Sequence, residues 1–309
     1  MKKIVLLGGS GFIGRKLAVE LSHTCHVVVL DLMTCDEFIK YPNIEFHYFN
    51  FTDPNQSMTQ LQGVDVIVHL VSTIFPCDGT DQISLHIEEN VLATIRLLEE
   101  IKHTSTEIVF ISSGGTVYGD VPATSSQEGD ALSALCSYSL MKIMIEESIK
   151  MYGYQNDMHY KIVRLSNPYG YNTNTDRMQG AIPIFISKLL NGETITIWGD
   201  GENRRDYIFL DDAVDAIMRI IMAPPMKEIF NVGSGISFST LEVIQCIVKN
   251  IGDYPPIDLV FTESRICDVK SNCLDVRKIK TALDWSAAHS LEEGIQKVIH
   301  QYKNRRLFN

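Results

Sequence analysis

This 309-residue chain has no C-x-x-C pair among its seven cysteines, and no basic run offsets its formal net charge of −11. Scattered cysteines (Cys25, Cys35, Cys77, Cys136, Cys246, Cys267 and Cys273) suit reduced, mostly buried thiols rather than a disulfide framework or a zinc cluster. An acidic balance without a basic stripe argues against a nucleic-acid partner. The nine histidines show no H-E-x-x-H or clustered spacing, so no metal site is expected. No stretch approaches the roughly 18 apolar residues of a membrane span. The apolar run after Lys2-Lys3 is too short for a signal peptide and runs into glycines. A soluble cytoplasmic protein is expected, and 45% hydrophobic residues suffice for one large or two coupled domains.

What is present is an alternation. Short apolar runs at residues 3–7, His26–Leu30, Ile44–Phe49, Val64–Leu70, Glu107–Ile111 and Tyr160–Leu165 read as buried strands. Helical patterns at Phe12–Ser22, Ile87–Ile101 and Ser137–Tyr152 fall between them. The expected fold class is α/β: a doubly wound parallel sheet with helices on both faces and a smaller C-terminal lobe. After residue 166 strands thin out and polar, aromatic loops appear, as in Asn167-Pro168-Tyr169-Gly170-Tyr171 and Trp198-Gly199-Asp200-Gly201. We place a dinucleotide-binding domain at 1–166 and a substrate lobe at 167–309, with the chain re-entering the first domain around 208–235. Leu210–Met222 reads as a helix with Asp211 or Asp212 near its N-cap and Pro224-Pro225 stopping it.

Gly8-Gly9-Ser10-Gly11-Phe12-Ile13-Gly14 joins the first strand to the first helix. Glycines at this spacing allow a tight turn, close approach of backbone to a pyrophosphate, and close packing of helix on strand. Asp31 ends the second strand, where a carboxylate accepts hydrogen bonds from an adenosine ribose and repels a 2′-phosphate; NAD is therefore favoured over NADP. Tyr138 and Lys142 lie one helical turn apart, so phenol and ammonium can converge on one ligand. A cation about 4 Å from a phenolate favours ionisation by roughly 4 kcal/mol at an effective dielectric of about 20. That is enough to bring a tyrosine from about 10 toward neutrality. The spacing alone also fits a solvated surface pair.

The glycine fingerprint, Ser112-Ser113-Gly114-Gly115-Thr116-Val117-Tyr118-Gly119 and the Tyr-x-x-x-Lys pair together resemble the extended short-chain dehydrogenase/reductase family, and within it the nucleotide-sugar epimerases and dehydratases. Val66–Ser72, Asn90–Thr94, Arg164–Gly170, Trp198–Gly201 and Arg204–Asp212 continue the similarity in the family's order along nearly the whole chain. The resemblance implies a Rossmann domain that binds NAD through Gly8, Gly11, Phe12, Ile13, Gly14, Asp31, Leu70, Asn90 and Lys142. It implies Tyr138 as general base, tuned by Lys142. Asn50-Phe51 stands where the family carries an aspartate and an apolar residue beside adenine. Asn167 would contact the nucleotide diphosphate, and Arg205 and Arg265 would pair with its phosphates, a task suited to a guanidinium fork; a surface salt bridge is the plainer reading of either arginine.

The chain departs from the family at one catalytic position. The hydroxyl usually carried by the third residue of the serine-rich segment is replaced by Gly114; Thr116 or Ser113 could supply it instead, and the assignment stays open. Gly114 could also leave room for a bulkier sugar. The Asp-Glu pair of a 4,6-dehydratase is replaced by Gly115-Thr116, against water elimination. The resemblance thus implies a nucleotide-sugar 4-epimerase. The alternatives are an NAD(P)H-dependent reductase of a dTDP- or GDP-linked 4-keto-6-deoxy sugar, and a non-catalytic dinucleotide-binding protein, which could dispense with the Tyr/Lys pair. A homodimer paired through the helices at Ile87–Ile101 and Ser137–Tyr152 is expected by the same resemblance.

Overall fold

The computed structural model describes residues 1–76, 82–120, 125–171, 180–252, 257–265 and 268–307. Cys77, Cys267 and the middle of Arg265-Ile266-Cys267-Asp268 lie outside them; the other five cysteines are free thiols. The first half runs β1 (Lys3–Leu7), α1 (Phe12–Ser22), β2 (His26–Asp31), β3 (Ile44–Tyr48), β4 (Val66–His69), α2 (Ile83–His86), a π-helical stretch (Ile87–Leu92), α3 (Ala93–Ile101), β5 (Glu107–Ser113), α4 (Ser137–Asn156) and β6 (Tyr160–Leu165). Then follow β7 (Asn167–Tyr169), α5 (Ala181–Asn191), β8 (Ile195–Trp198), β9 (Arg204–Phe209), α6 (Leu210–Met222), β10 (Lys227–Val232), β11 (Ser237–Ser239), α7 (Thr240–Ile251), β12 (Leu259–Thr262), α8 (Arg277–Leu283) and α9 (Leu291–Leu307).

Seven strands form one parallel sheet in the order β10-β6-β5-β4-β1-β2-β3. Period-two alternation decides which side chains meet which helices. Ile4 and Leu6 of β1, with Val27 and Val29 of β2, pack against α1 and α6; Val5, Leu7, Val28 and Leu30 face α3 and α4. Both faces are covered, which is why these strands are apolar throughout rather than alternating. Each fully buried Leu, Ile or Val contributes roughly 1.5–3 kcal/mol, so the two faces together fix the register. The strand order reverses between β1 and β4, opening a crevice at the carboxyl ends of the strands, where α/β sheets bind ligands.

The second unit gathers α5, α7 and α9 around β8 and β9 in a separate core containing Ile186, Ile197, Val243, Ile247 and Ile295. Between these cores the chain supplies α6, packed against α1, and β10, paired with β6 from Lys227↔Tyr160 to Val232↔Leu165. Asp206 on β9 is a joint between the two halves. Fully buried, its carboxylate accepts the N–H groups of Ser234, Gly235 and Leu274 at 2.8, 3.1 and 3.2 Å.

Candidate active site

The glycine loop is shaped by what it omits. Gly8 has φ +80° and donates its N–H to Leu30 O at 2.9 Å; a Cβ there would lie 3.1 Å from the Val71 nitrogen. A Cβ on Gly14 would come within 2.6 Å of Gly9 Cα, so only two glycines let α1 sit this close to the loop. α1 starts after Gly11 with no side-chain cap and no acid in its first turn, leaving its N-terminal amides toward the crevice for an anion. Phe12 and Ile13 tuck against the α1 face of the core. Asp31 closes the loop from the side: Oδ2 accepts Ser10 N–H at 2.9 Å and Oδ1 accepts Leu32 N–H at 2.7 Å. Ser10 Oγ, buried beside it, has no hydrogen-bond partner among the described residues.

Four other residues expected near the cofactor are placed by contacts within the protein. Leu70 lies where the chain leaves β4, its N–H on Leu7 O at 2.9 Å, in the segment that closes over Gly8. Asn50 accepts the Thr52 hydroxyl at 2.9 Å, and Phe51 is buried against the His69 ring at 4.9 Å. Asn90 is buried with its amide fully occupied. It donates to Thr73 Oγ1 and His86 O at 2.7 and 2.9 Å and accepts Thr73 N–H at 3.0 Å. Its side chain thus holds the segment after β4, and the π-helical stretch places it there.

The catalytic corner forms where β5 ends beside α4. Ser113 lies close enough to the Tyr138 phenol to lower its pKa, and Thr116 Oγ1 donates to Ser113 Oγ at 3.0 Å. Lys142 is buried with its Nζ on Ile111 O at 3.0 Å, 4.8 Å from the Phe110 ring centroid and 5.5 Å from that of Tyr138. The four residues expected to act together are together. The electrostatics differ from the sequence expectation, however. Burial pushes Tyr138 up to about 12, ahead of the lowering by Ser113, and burial brings Lys142 down to about 8 against the pull of Glu146. Desolvation dominates, because the pair is buried rather than in the intermediate dielectric assumed for a surface contact.

Gly114 opens no space. A Cβ there would meet Leu274 Cδ1 at 2.6 Å and Arg164 O at 2.8 Å, so the expectation of extra room for a sugar is corrected: the space is filled from the segment before α8. Asn272 Nδ2 holds the Gly114 carbonyl at 2.8 Å. On the substrate side, Asn167 packs its amide over Gly115 and donates to Asp206 O at 3.0 Å, which ties it to the catalytic turn. Arg205 follows on β9 with its Nη1 on Arg204 O at 2.9 Å. Arg265 stacks on Trp198 with Cζ 4.0 Å from the ring centroid, and Trp198 is 44% exposed.

Residues 4–233 match the NAD dependent epimerase/dehydratase family. The chain belongs to it. Members of this epimerase/dehydratase family similar along nearly the full length include a dTDP-4-dehydro-6-deoxyglucose reductase of Escherichia coli, 31% identical over 96% of this chain and 96% of its own. A UDP-glucose 4-epimerase of Mycolicibacterium smegmatis is 30% identical over 98% and 99% of the two chains. Among solved structures, the UDP-glucose 4-epimerase of Thermotoga maritima superposes with a TM-score of 0.88 at 25% identity, covering 98% and 99%.

The chain is thus an enzyme of an NAD-dependent family, and its loop fits that cofactor: Cβ-free positions, uncapped amides of α1, a partnerless Ser10 Oγ and Asp31 at the end of β2. Spacing did not single out several buried polar residues packed around the expected site residues: Glu146, Arg164, Asp206 and Asn272. Glu146 could have been found, since it extends the Tyr138–Lys142 stripe by one more turn, and Arg164 interrupts an otherwise apolar strand.

Proposed function

We propose that the protein is a nucleotide-sugar 4-epimerase working through a 4-keto intermediate. The convergence of Tyr138 with a buried Lys142, beside the turn in which Thr116 bonds Ser113, carries this reading. Tyr138 would remove the proton of the sugar 4-hydroxyl as general base and return it later. Burial pushes its phenol up to about 12, so it rests protonated, and a positive charge brought to the crevice by bound NAD⁺ would favour its ionisation. NAD, when bound, supplies the hydride acceptor and donor. Ser113 would steady the sugar oxygen as charge develops, with Thr116 orienting Ser113 from behind. Gly8, Gly11, Phe12, Ile13, Gly14 and Asp31 would hold the dinucleotide, with Asn50, Phe51, Leu70 and Asn90 shaping its adenine and β4 side. Asn167, Arg205 and Arg265 would clamp the nucleotide diphosphate.

The test is incubation of the purified protein with UDP-glucose or UDP-galactose without added reductant, followed by sugar analysis. Interconversion is expected, and none with Tyr138→Phe. A second reading is a reductase of a dTDP-linked 4-keto-6-deoxy sugar, with Tyr138 as acid; the similarity to the Escherichia coli reductase favours it. Stoichiometric loss of NADH or NADPH on such a sugar would select it. We also infer a homodimer in the cytoplasm, covering the exposed Leu85, Leu92, Met151 and Tyr154 on the helices at 83–101 and on α4. A monomer by light scattering would remove the dimer.

A further inference from the structure

One buried charged pair lies inside the catalytic corner and takes no part in the scheme above. Glu146 stands one turn beyond Lys142 on α4, fully buried, so Tyr138, Lys142 and Glu146 line one face of the helix. Its Oε1 accepts the Ser112 hydroxyl at 2.5 Å; its Oε2 accepts Arg164 Nε and Nη2 at 3.1 and 2.7 Å. Arg164, 2% exposed, uses Nη1 to reach Tyr118 OH at 3.0 Å and Glu128 O at 2.9 Å. The pair therefore grips the turn carrying Ser113 and Thr116 at both ends, through Ser112 before it and Tyr118 after it. It does so from the helix that carries Tyr138.

A buried ion pair is a weak source of stability, because desolvation offsets most of its attraction. A neutral pair of similar shape could hold the turn, but it could not place a negative charge near Lys142. The Lys142 ammonium has a neutral carbonyl, Ile111 O, as acceptor and the faces of Phe110 and Tyr138 around it. Burial lowers it to about 8, and Glu146 is the anion that opposes this. Among the described residues, the other titratable groups facing it from neighbouring elements carry no negative charge. His69 at the end of β4 is held neutral near 3 by burial and by Lys142, Tyr138 is a phenol, and beyond Glu146 stand the Arg164 guanidinium and the Tyr118 phenol.

We propose that Glu146, held by Arg164, is the positioning residue of this corner: it sets the Ser113–Thr116 turn against α4 and keeps Lys142 an ammonium where the cofactor binds. This rests on the reading of Tyr138 and Lys142 as the working pair. The test measures NAD⁺ affinity of the whole protein across pH 6–10 for wild type, Glu146→Gln and Lys142→Met. Wild-type affinity is expected to weaken as Lys142 loses its proton on the alkaline side. Glu146→Gln should move that midpoint to lower pH by about one unit, because a cation without its anion deprotonates earlier. kcat on the accepted sugar nucleotide should fall about 10- to 100-fold with little change in KM, the size expected of a slight misplacement.

Glu146→Gln leaves Arg164 without a counter-charge, so the neutral pair Glu146→Gln/Arg164→Met is measured beside it, with folding followed by circular dichroism. The same acid-ward shift is expected there. An unshifted midpoint with unchanged kcat in folded Glu146→Gln or in the double variant overturns the inference and leaves the role of Tyr138 standing. A Lys142→Met protein that keeps the wild-type pH dependence removes the reading beneath it instead.

Discussion

The cofactor loop and the catalytic corner face the same crevice and are built on opposite principles. Between Gly8 and Gly14 the chain works by leaving side chains out: an added methyl would meet backbone at Gly8, Gly11 and Gly14, and the core side chains of Leu6 and Val29 at Gly9. Around Ser113 and Tyr138 it works by burying polar groups: Glu146, Arg164, Tyr118 and Asn231 form one hydrogen-bonded chain, Tyr118 OH donating to Asn231 Oδ1 at 2.7 Å. The first needs no partner distant in sequence except Asp31 and the β4 end. The second draws its members from four separate elements. A loop made of backbone tolerates no addition, whereas a buried network tolerates no subtraction, because each lost partner leaves a desolvated polar group behind.

That contrast can be broken by substitution. The largest effect is expected from Tyr138→Phe: a roughly 10²- to 10⁴-fold loss of turnover with NAD affinity kept, read by steady-state kinetics and calorimetric titration. Turnover near wild type would remove the catalytic corner from the comparison. Next, Arg164→Met strands the Glu146 carboxylate and should cost about 3–5 kcal/mol of stability by urea denaturation, whereas the neutral double variant should recover most of it. Lys161→Met, which strands Glu107 beneath the sheet, should cost about as much without altering NAD binding, separating structural from functional buried charge.

Adding a methyl probes the other principle. Gly14→Ala should weaken NAD binding and destabilise by about 1–3 kcal/mol, since backbone faces the new Cβ. Gly114→Ala should be destabilising by a similar amount, partly relieved by Leu274→Ala; no relief would mean that the Arg164 carbonyl is the obstacle that matters. The smallest effect belongs to Lys150→Ala at the exposed Glu147 pair, within about 0.5 kcal/mol, because solvent screens both charges. A larger loss there would blur the line drawn between surface and buried charge.

Much of this was legible in the chain of letters. The strand at His26–Asp31 and the helices at Phe12–Ser22 and Leu210–Met222 follow from apolar periodicity, and their bounds agree with the structure to within a residue or so. The Ile87–Ile101 helix was legible as a helix but not as one with a π-helical first half, in which Asn90 bonds Thr73 in the segment after β4. Among site residues, the glycine loop with Asp31, and the Tyr138–Lys142 pair, could be read from spacing because backbone geometry alone sets their neighbours.

The sequence by itself determined the sheet, the loop and the helical face that brings a phenol and an ammonium together, because each depends on interactions within a turn or along a strand. Only the tertiary structure decided how acidic that phenol is, what fills the space beside Gly114, and which carboxylate answers Lys142. Those depend on desolvation and on partners distant in sequence, Leu274 against Gly114 and Arg164 against Glu146. Burial is a property of the whole packed molecule, and no local spacing encodes it.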